Sequence, residues 1–428
     1  MRFSQKTDFA PRVGFAYRID ANDKSVLRGG YGRFIETLLT SQVVDGWAVE
    51  ASDVGHFTNS IGSNGTPVYS APYSFPSNIA QPGTYFFDLA SNIHYKDPKV
   101  DEWNLTFEHD LGWGTGIRVS YDGNHGSNLG TLVNLNQLHP NTQGYAALAG
   151  NVPYPALNYI AYQTNLGFSN YNAGTISVKK RSSSFSFEGS YVYTRNLTNV
   201  YRATSGSTAS FNSANEFGGT LSNPYDPGLD YGNVPFSRRQ RFLLTFIYEL
   251  PFGKGKTFLN GSNGLMDRIV GGRNLSGIAL WQTGTFMTVS TLSDPSGTGY
   301  SQLNSNGGRA DTVAGVNPYA GQSLNQWINP NAFSDPGNNI GRFGNASQGD
   351  VVGPGTVAIS LSLLKRIAVT ESTRFEFGAQ IANILNHPNF QAPSSLTVGV
   401  SGFGQINAMQ VAEAGGPRPI QLAGRFTF

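Results

Sequence analysis

The chain has 428 residues, of which 13% are charged, about half of the roughly 25% in an ordinary soluble domain. Its formal net charge is only +2 with the basic residues scattered, which argues against nucleic acid as a partner, and it has no cysteine, which excludes a disulfide framework and a thiolate metal site. No run approaches about 18 consecutive apolar residues, so a transmembrane helix is excluded; a membrane barrel, which needs only about ten-residue alternating segments, is not.

The opening "MRFSQKTDFAPRVGF" lacks an apolar stretch and a cleavage site, so it is not expected to be a signal peptide. Strands are predicted at roughly 10–19, 24–38, 101–111, 115–124, 171–180, 184–194, 238–251, 273–290, 355–367, 373–386 and 417–428, eleven in all. In "DEWNLTFEHDL" Trp103, Leu105, Phe107 and Leu111 alternate with Glu102, Asn104, Thr106, Glu108 and Asp110, and His109 interrupts the apolar set. In "SFSFEGSYVYT" Phe185, Phe187, Tyr191 and Tyr193 share a face opposite Ser184, Ser186, Glu188 and Ser190. Phe242, Leu244, Phe246, Tyr248 and Leu250 do the same, as do Phe375, Phe377, Ala379 and Ile381. The chain ends on Ile420, Leu422, Gly424, Phe426 and Phe428 against Gln421, Ala423, Arg425 and Thr427.

Connectors alternate in length. Short ones lie at 20–23, 112–114, 182–184 and 368–373, with a longer one at 252–272. Long ones cover about 39–100, 125–170, 195–237, 291–354 and 387–416. Long polar loops are uncommon in compact soluble domains, whereas short turns on one side and long loops on the other suit an outer-membrane barrel. With the C-terminus periplasmic, every long loop falls outside and every short turn inside. The expected fold is therefore all-β, an antiparallel transmembrane barrel wall with apolar residues toward lipid and polar ones toward the lumen. Trp113, Tyr193 and Phe428 fit interfacial girdles. The alternative is a soluble sandwich or propeller whose apolar faces pack inward.

On "FAPRVGFAYR", "VLRGGYGRF", "DEWNLTFEHDLG", "VSYDGNHGSNL", "FIYELPFGKGK", "LSGIALWQTGTFMTV", "NILNHPNF" and the closing "PRPIQLAGRFTF", the chain resembles the C-terminal barrel portion of a TonB-dependent outer-membrane receptor, and is similar to the Oar-like group of acidobacteria. The islands run the whole length of the chain. The resemblance implies a barrel of about 22 strands, of which eleven are half, together with a plug domain and signal peptide that this sequence does not show. Residues 1–428 are thus expected to be one barrel portion, from a split or truncated gene or a cut fragment. Half a barrel would carry two unpaired edges and an exposed apolar face.

No motif points to catalysis. "GKGKT" at 253–257 has Leu250 where a phosphate-binding loop needs glycine, and reads as a basic flexible turn. "GGYG" at 29–32 reads as glycines that allow close strand approach or a bulge. His56, His94, His109, His125, His139 and His387 are dispersed, without zinc-ligand spacing. "DPSGTG" and "DPGNN" are oxygen-rich, and turns explain them better than calcium. There is no G-x-S-x-G elbow, and a Ser-His-Asp site assembled across strands would leave no mark in sequence.

The expected function is ligand binding at the outer loops for uptake across the Gram-negative outer membrane, with no enzymatic activity and no cofactor or metal. Glu188, Arg241, Glu249, Gln421 and Arg425 are candidates for the lumen wall, where solvation is the simpler role. The resemblance makes Phe426 and Phe428 a barrel-assembly signal. It also makes outer-membrane lipid, the assembly machinery and an unidentified ligand the partners, with a plug and the TonB system only if a missing N-terminal part is supplied. A binding or adhesion barrel without uptake, and a membrane-embedded hydrolase, are the alternatives.

Overall fold

The computed structural model describes residues 8–36, 85–155, 157–200, 219–235, 237–261, 264–299, 308–368, 373–410 and 415–428. Eleven strands form one antiparallel meander: β1 (Arg12–Arg18), β2 (Ser25–Ile35), β3 (Lys99–Gly112), β4 (Thr115–Asn134), β5 (Leu157–Arg181), β6 (Phe185–Thr198), β7 (Gln240–Glu249), β8 (Arg273–Gln282), β9 (Thr356–Ala368), β10 (Arg374–Ile381) and β11 (Ile420–Thr427). Each pairs with its sequence neighbour, and among the described residues no ladder joins β1 to β11, so the wall is open. The expected membrane-barrel fold is present, with the predicted number of strands.

Opposed residues in an antiparallel ladder share a face, and the register carries one apolar face across all eleven strands. Phe15 faces Gly29, Leu105 faces Tyr121, Val119 faces Ile176, Tyr191 faces Phe242 and Phe377 faces Gly424. Most of these side chains are exposed. Ile420, Leu422 and Phe426 are 63%, 65% and 58% exposed, a loss in water that lipid removes. On β7 the apolar set runs from Phe242 to Tyr248, about 20–25 Å along a strand, close to the apolar band of an outer-membrane barrel.

Toward the turns that band ends in polar and aromatic groups. His109, the interruption seen in sequence, sits opposite Ser25. Lys180 reaches back to the carbonyl of Trp113 and the hydroxyl of Thr115. Trp113 is 91% and Phe428 93% exposed, both at the turn end, and Tyr193 lies at the other. Aromatic rings and snorkelling lysines are what a membrane–water boundary favours.

Four strand ends differ most from the expectation. β4 and β5 run well past 124 and start well before 171, because their ladder continues above the apolar band as a protruding hairpin. β8 stops at Gln282 and not near 290, since 286–291 leave the wall to pair with Val351–Val352 and Gly308–Arg309. β10 stops at Ile381, where the buried Asn383 turns the chain, its amide donating to the carbonyls of His387 and Gly416. The 252–272 connector holds a short helix, Gly264–Val270. The turn at 369–372 and most of the loop at 39–100 lie outside the described residues.

The packed core is not in the wall. Val289, Ile328 and Ala346, fully buried, with Phe333 and Val351 form a cluster inside the 283–355 connection. Leu396, Val398 and Phe403 of the 382–419 connection pack against it.

Candidate functional site

The opposite face of the wall is polar and graded. Near the short turns it carries a belt of ion pairs across neighbouring strands. Glu108 takes Arg28 and Arg118, both at 3.4 Å; Lys179 meets Glu188 at 3.1 Å; and Arg366 meets Glu376 at 2.9 Å. At mid-height the face turns to hydroxyls and amides. Ser276 stands opposite Ser362, Ser177 opposite Ser190, and Gln380 opposite Gln421. A hollow of about 650 Å³ lies on this wall, bounded among others by Ser186, Thr245, Ser276, Ser362 and Gln380.

All five candidate wall residues lie on this face, at three levels. Glu188, Glu249 and Arg425 are at the turn side: Glu249 pairs with Lys256 at 2.9 Å, and Arg425 stands opposite Glu376. Arg241, opposite Val192 and Gln282, is at the loop side, and Gln421 is at mid-height. The structure does not gather them into one cluster. Period-two reading missed Ile247 and Ile278, which are apolar yet lie on the polar face, 58% and 52% exposed.

At the loop end, four connections are joined by backbone hydrogen bonds. Asn141 N–H donates to Ser296 O (2.8 Å), Asn233 N–H to Gln348 O (3.1 Å), Ser290 N–H to Leu396 O (2.9 Å) and Trp327 N–H to Gly404 O (2.8 Å). Side-chain amides serve as extra peptide groups: Asn389 accepts from Val357 N–H (2.7 Å) and donates to Val357 O (3.0 Å). Two aromatics hold Val352. The Tyr319 hydroxyl accepts its N–H (2.7 Å), and the Trp327 indole donates to its carbonyl (3.1 Å). Arg309, from the 283–355 connection, binds the buried Asp230 of the 199–239 connection at 2.6 Å. Asp230 also takes the N–H and hydroxyl of Ser222. None of these long-range pairings has a local signal in sequence.

The motifs resolve into structure. In "DPSGTG" the Asp294 carboxylate accepts from the N–H groups of Gly297 and Gly299 and from the Ser296 hydroxyl, so the turn itself uses its oxygens. Asp335 accepts from Gly337 N–H in the same way. The "GKGKT" segment is a turn with Gly253 and Gly255 at positive φ, whose Lys254 N–H donates to Asp267. In "GGYG" the register is continuous, and Gly29 lies beneath the Phe15 ring, which is close approach and not a bulge. Of the histidines, His139 stacks on Tyr225 at 3.8 Å, His125 bonds Asn170, and His56 lies outside the described residues. Among the described residues no three metal-ligating side chains come together.

One serine–histidine pair is assembled: the Ser25 hydroxyl lies 2.8 Å from His109 Nδ1. The Asp20 carboxylate, on the Ser25 side of the pair, accepts from the N–H groups of Asn22 and Lys24. A hydrolytic triad needs the imidazole in the middle, to take the hydroxyl proton while the acid orients it.

The outer membrane beta barrel domain family matches residues 2–421. Solved structures are similar at low identity. The outer membrane transporter YddB from Escherichia coli is 10% identical with a TM-score of 0.48, over 98% of this chain and 40% of that one. The ferripyoverdine receptor of Pseudomonas aeruginosa is 10% identical (TM-score 0.41; 98% and 33% covered), and the ferric preacinetobactin receptor BauA from Acinetobacter baumannii 13% (0.42; 98% and 36%). The chain thus spans two fifths or less of the length of these structures. No curated protein matches the sequence.

Proposed function

Since the chain belongs to the outer membrane beta barrel domain family, and its place is the outer membrane of a Gram-negative bacterium, we propose that it is the C-terminal barrel portion of a TonB-dependent, Oar-like receptor. In this reading residues 1–428 are one barrel unit, and the joined loops capture a ligand outside the cell. The polar wall, with Glu188, Arg241, Glu249, Gln421 and Arg425, lines the path inward. Phe426 and Phe428 address the chain to the assembly machinery. No enzymatic step is assigned, and Ser25 in the wrong place for a triad supports that.

The observation that carries the reading is the two-faced wall: one mainly apolar face, one graded polar face, and the long joined loops at a single end. Strand parity supports a barrel portion. With eleven strands in a meander, both edge strands, β1 and β11, run toward the turn end. A second copy inserted the same way offers only parallel edges. Lipid demands a closed wall, and the all-antiparallel closure of bacterial outer-membrane barrels needs an odd number of further strands.

The test is uptake in the native organism. Cells with and without the gene are compared for accumulation of labelled ferric chelates, cobalamin, oligosaccharides and peptides. Loss of an accumulation that collapses with the proton gradient supports the receptor. Binding that persists without the gradient, with no accumulation of any probe, would leave a binding barrel instead.

A further inference from the structure

The loop cap contains a carboxylate that the wall and the ligand path do not use. Asp350 sits beside the short ladder that pairs Val351–Val352 with Phe286–Met287. Both its carboxylate oxygens are buried without a hydrogen-bond partner. A buried carboxylate without donors is expensive when ionised and tolerable when protonated. The charged or titratable groups around it are Arg309, from the neighbouring Gly308–Arg309 strand, and the Tyr319 hydroxyl. Arg309 is already engaged: it binds Asp230 at 2.6 Å and so ties the 283–355 connection to the 199–239 connection.

We propose that Asp350 is a proton-operated latch on the cap, in which its ionisation competes with Asp230 for Arg309. Protonated, Asp350 leaves Arg309 to Asp230 and to the carbonyl of Ala346, and the two loops stay tied. Ionised, it draws the guanidinium toward its own loop, and the tie to Asp230 and Ser222 loosens. Burial pushes the Asp350 carboxyl up to about 7, with the pull of Arg309 and of the backbone at Val289 and Val351 working the other way. The handover therefore falls within the range an outer-membrane surface meets. It depends on the cap alone and stands whether or not the barrel transports.

Hydrogen exchange on the full chain in detergent tests this, with protection corrected for the intrinsic pH dependence of exchange. The amides to follow are Ser222, Asn233, Ala310 and Ala346, which donate within the cap. Protection of Ser222 and Asn233 is expected to fall by about tenfold from about pH 5.5 to about pH 8.5 in the native chain. It should stay within about twofold in Asp350→Asn, and be low at both pH values in Asp230→Asn. No pH-dependent fall in the native chain, or an equal fall in Asp350→Asn, overturns the latch. Should Asp350→Asn not fold, Asp230→Asn decides: a pH-dependent fall that survives there means Arg309 is not being handed over.

Discussion

Gly344 lies so close to Arg309 that a β-carbon on it would collide with the Arg309 carbonyl oxygen and stand 2.6 Å from that of Ala310. Both obstacles are backbone, in the strand that carries the cap's link to Asp230. Gly344→Ala is therefore expected to cost about 1–3 kcal/mol of cap stability, as overpacking does. The measurement is limited proteolysis, which should cut the 283–355 connection while the wall resists.

The two faces of the wall predict opposite responses to the same charge. Leu244→Arg, in the apolar band, is expected to cost about 2–4 kcal/mol in denaturant unfolding from lipid vesicles. Thr245→Arg, one residue along on the polar face, should cost under about 1 kcal/mol. Equal costs would mean that the faces are assigned wrongly.

Because the native chain has no cysteine, single cysteines report the faces cleanly. In vesicles, Gln421→Cys should react with a membrane-impermeant maleimide, and Leu422→Cys should react at least about tenfold more slowly. The comparison uses adjacent residues of β11 that point to opposite sides.

The cap also carries a carboxylate of opposite tendency. Arg342 grips Asp311 through two hydrogen bonds, at 2.8 and 2.6 Å, and holds its carboxyl below the usual range. The stability this adds is present above the unfolded value of 3.8 and is lost as the pH falls through the lowered one. Asp350, raised to about 7, contributes in the other sense: its share is full below 3.8 and is lost as the pH rises to about 7. Cap unfolding, followed by tryptophan fluorescence of Trp327, should thus show a loss below the unfolded value of 3.8 that is abolished in Arg342→Ala, and a loss between 3.8 and about 7 that is abolished in Asp350→Asn.

Sequence and structure agree where lipid imposes alternation. A strand such as 374–381 must alternate to face two solvents, so Phe375, Phe377 and Ile381 announce it. Above the band nothing forces that pattern. The buried stretch of β4 at Thr131, Leu132, Val133 and Asn134 mixes polar and apolar residues, and its pairing with β5 left no local trace. The cap is harder still. Val289, Ile328 and Val351 are single apolar residues in polar surroundings, far apart in the chain, and only tertiary contact makes them a core. Among the wall candidates, Glu249 and Arg425 were legible as the polar members of alternating strands. Asp350 was not, because nothing near it in sequence says it will be buried.

The backbone bonds that join four connections at the loop end bear on how a ligand would be met there. Four independent loops would each lose freedom on closing over a guest, and side-chain ordering alone costs about 0.5–1.5 kcal/mol for each immobilised group. Here that entropy has already been spent in folding. A guest would meet a preorganised surface, and any opening of the joined loops should be a single cooperative event that breaks the junction at Arg309 and the backbone bonds together.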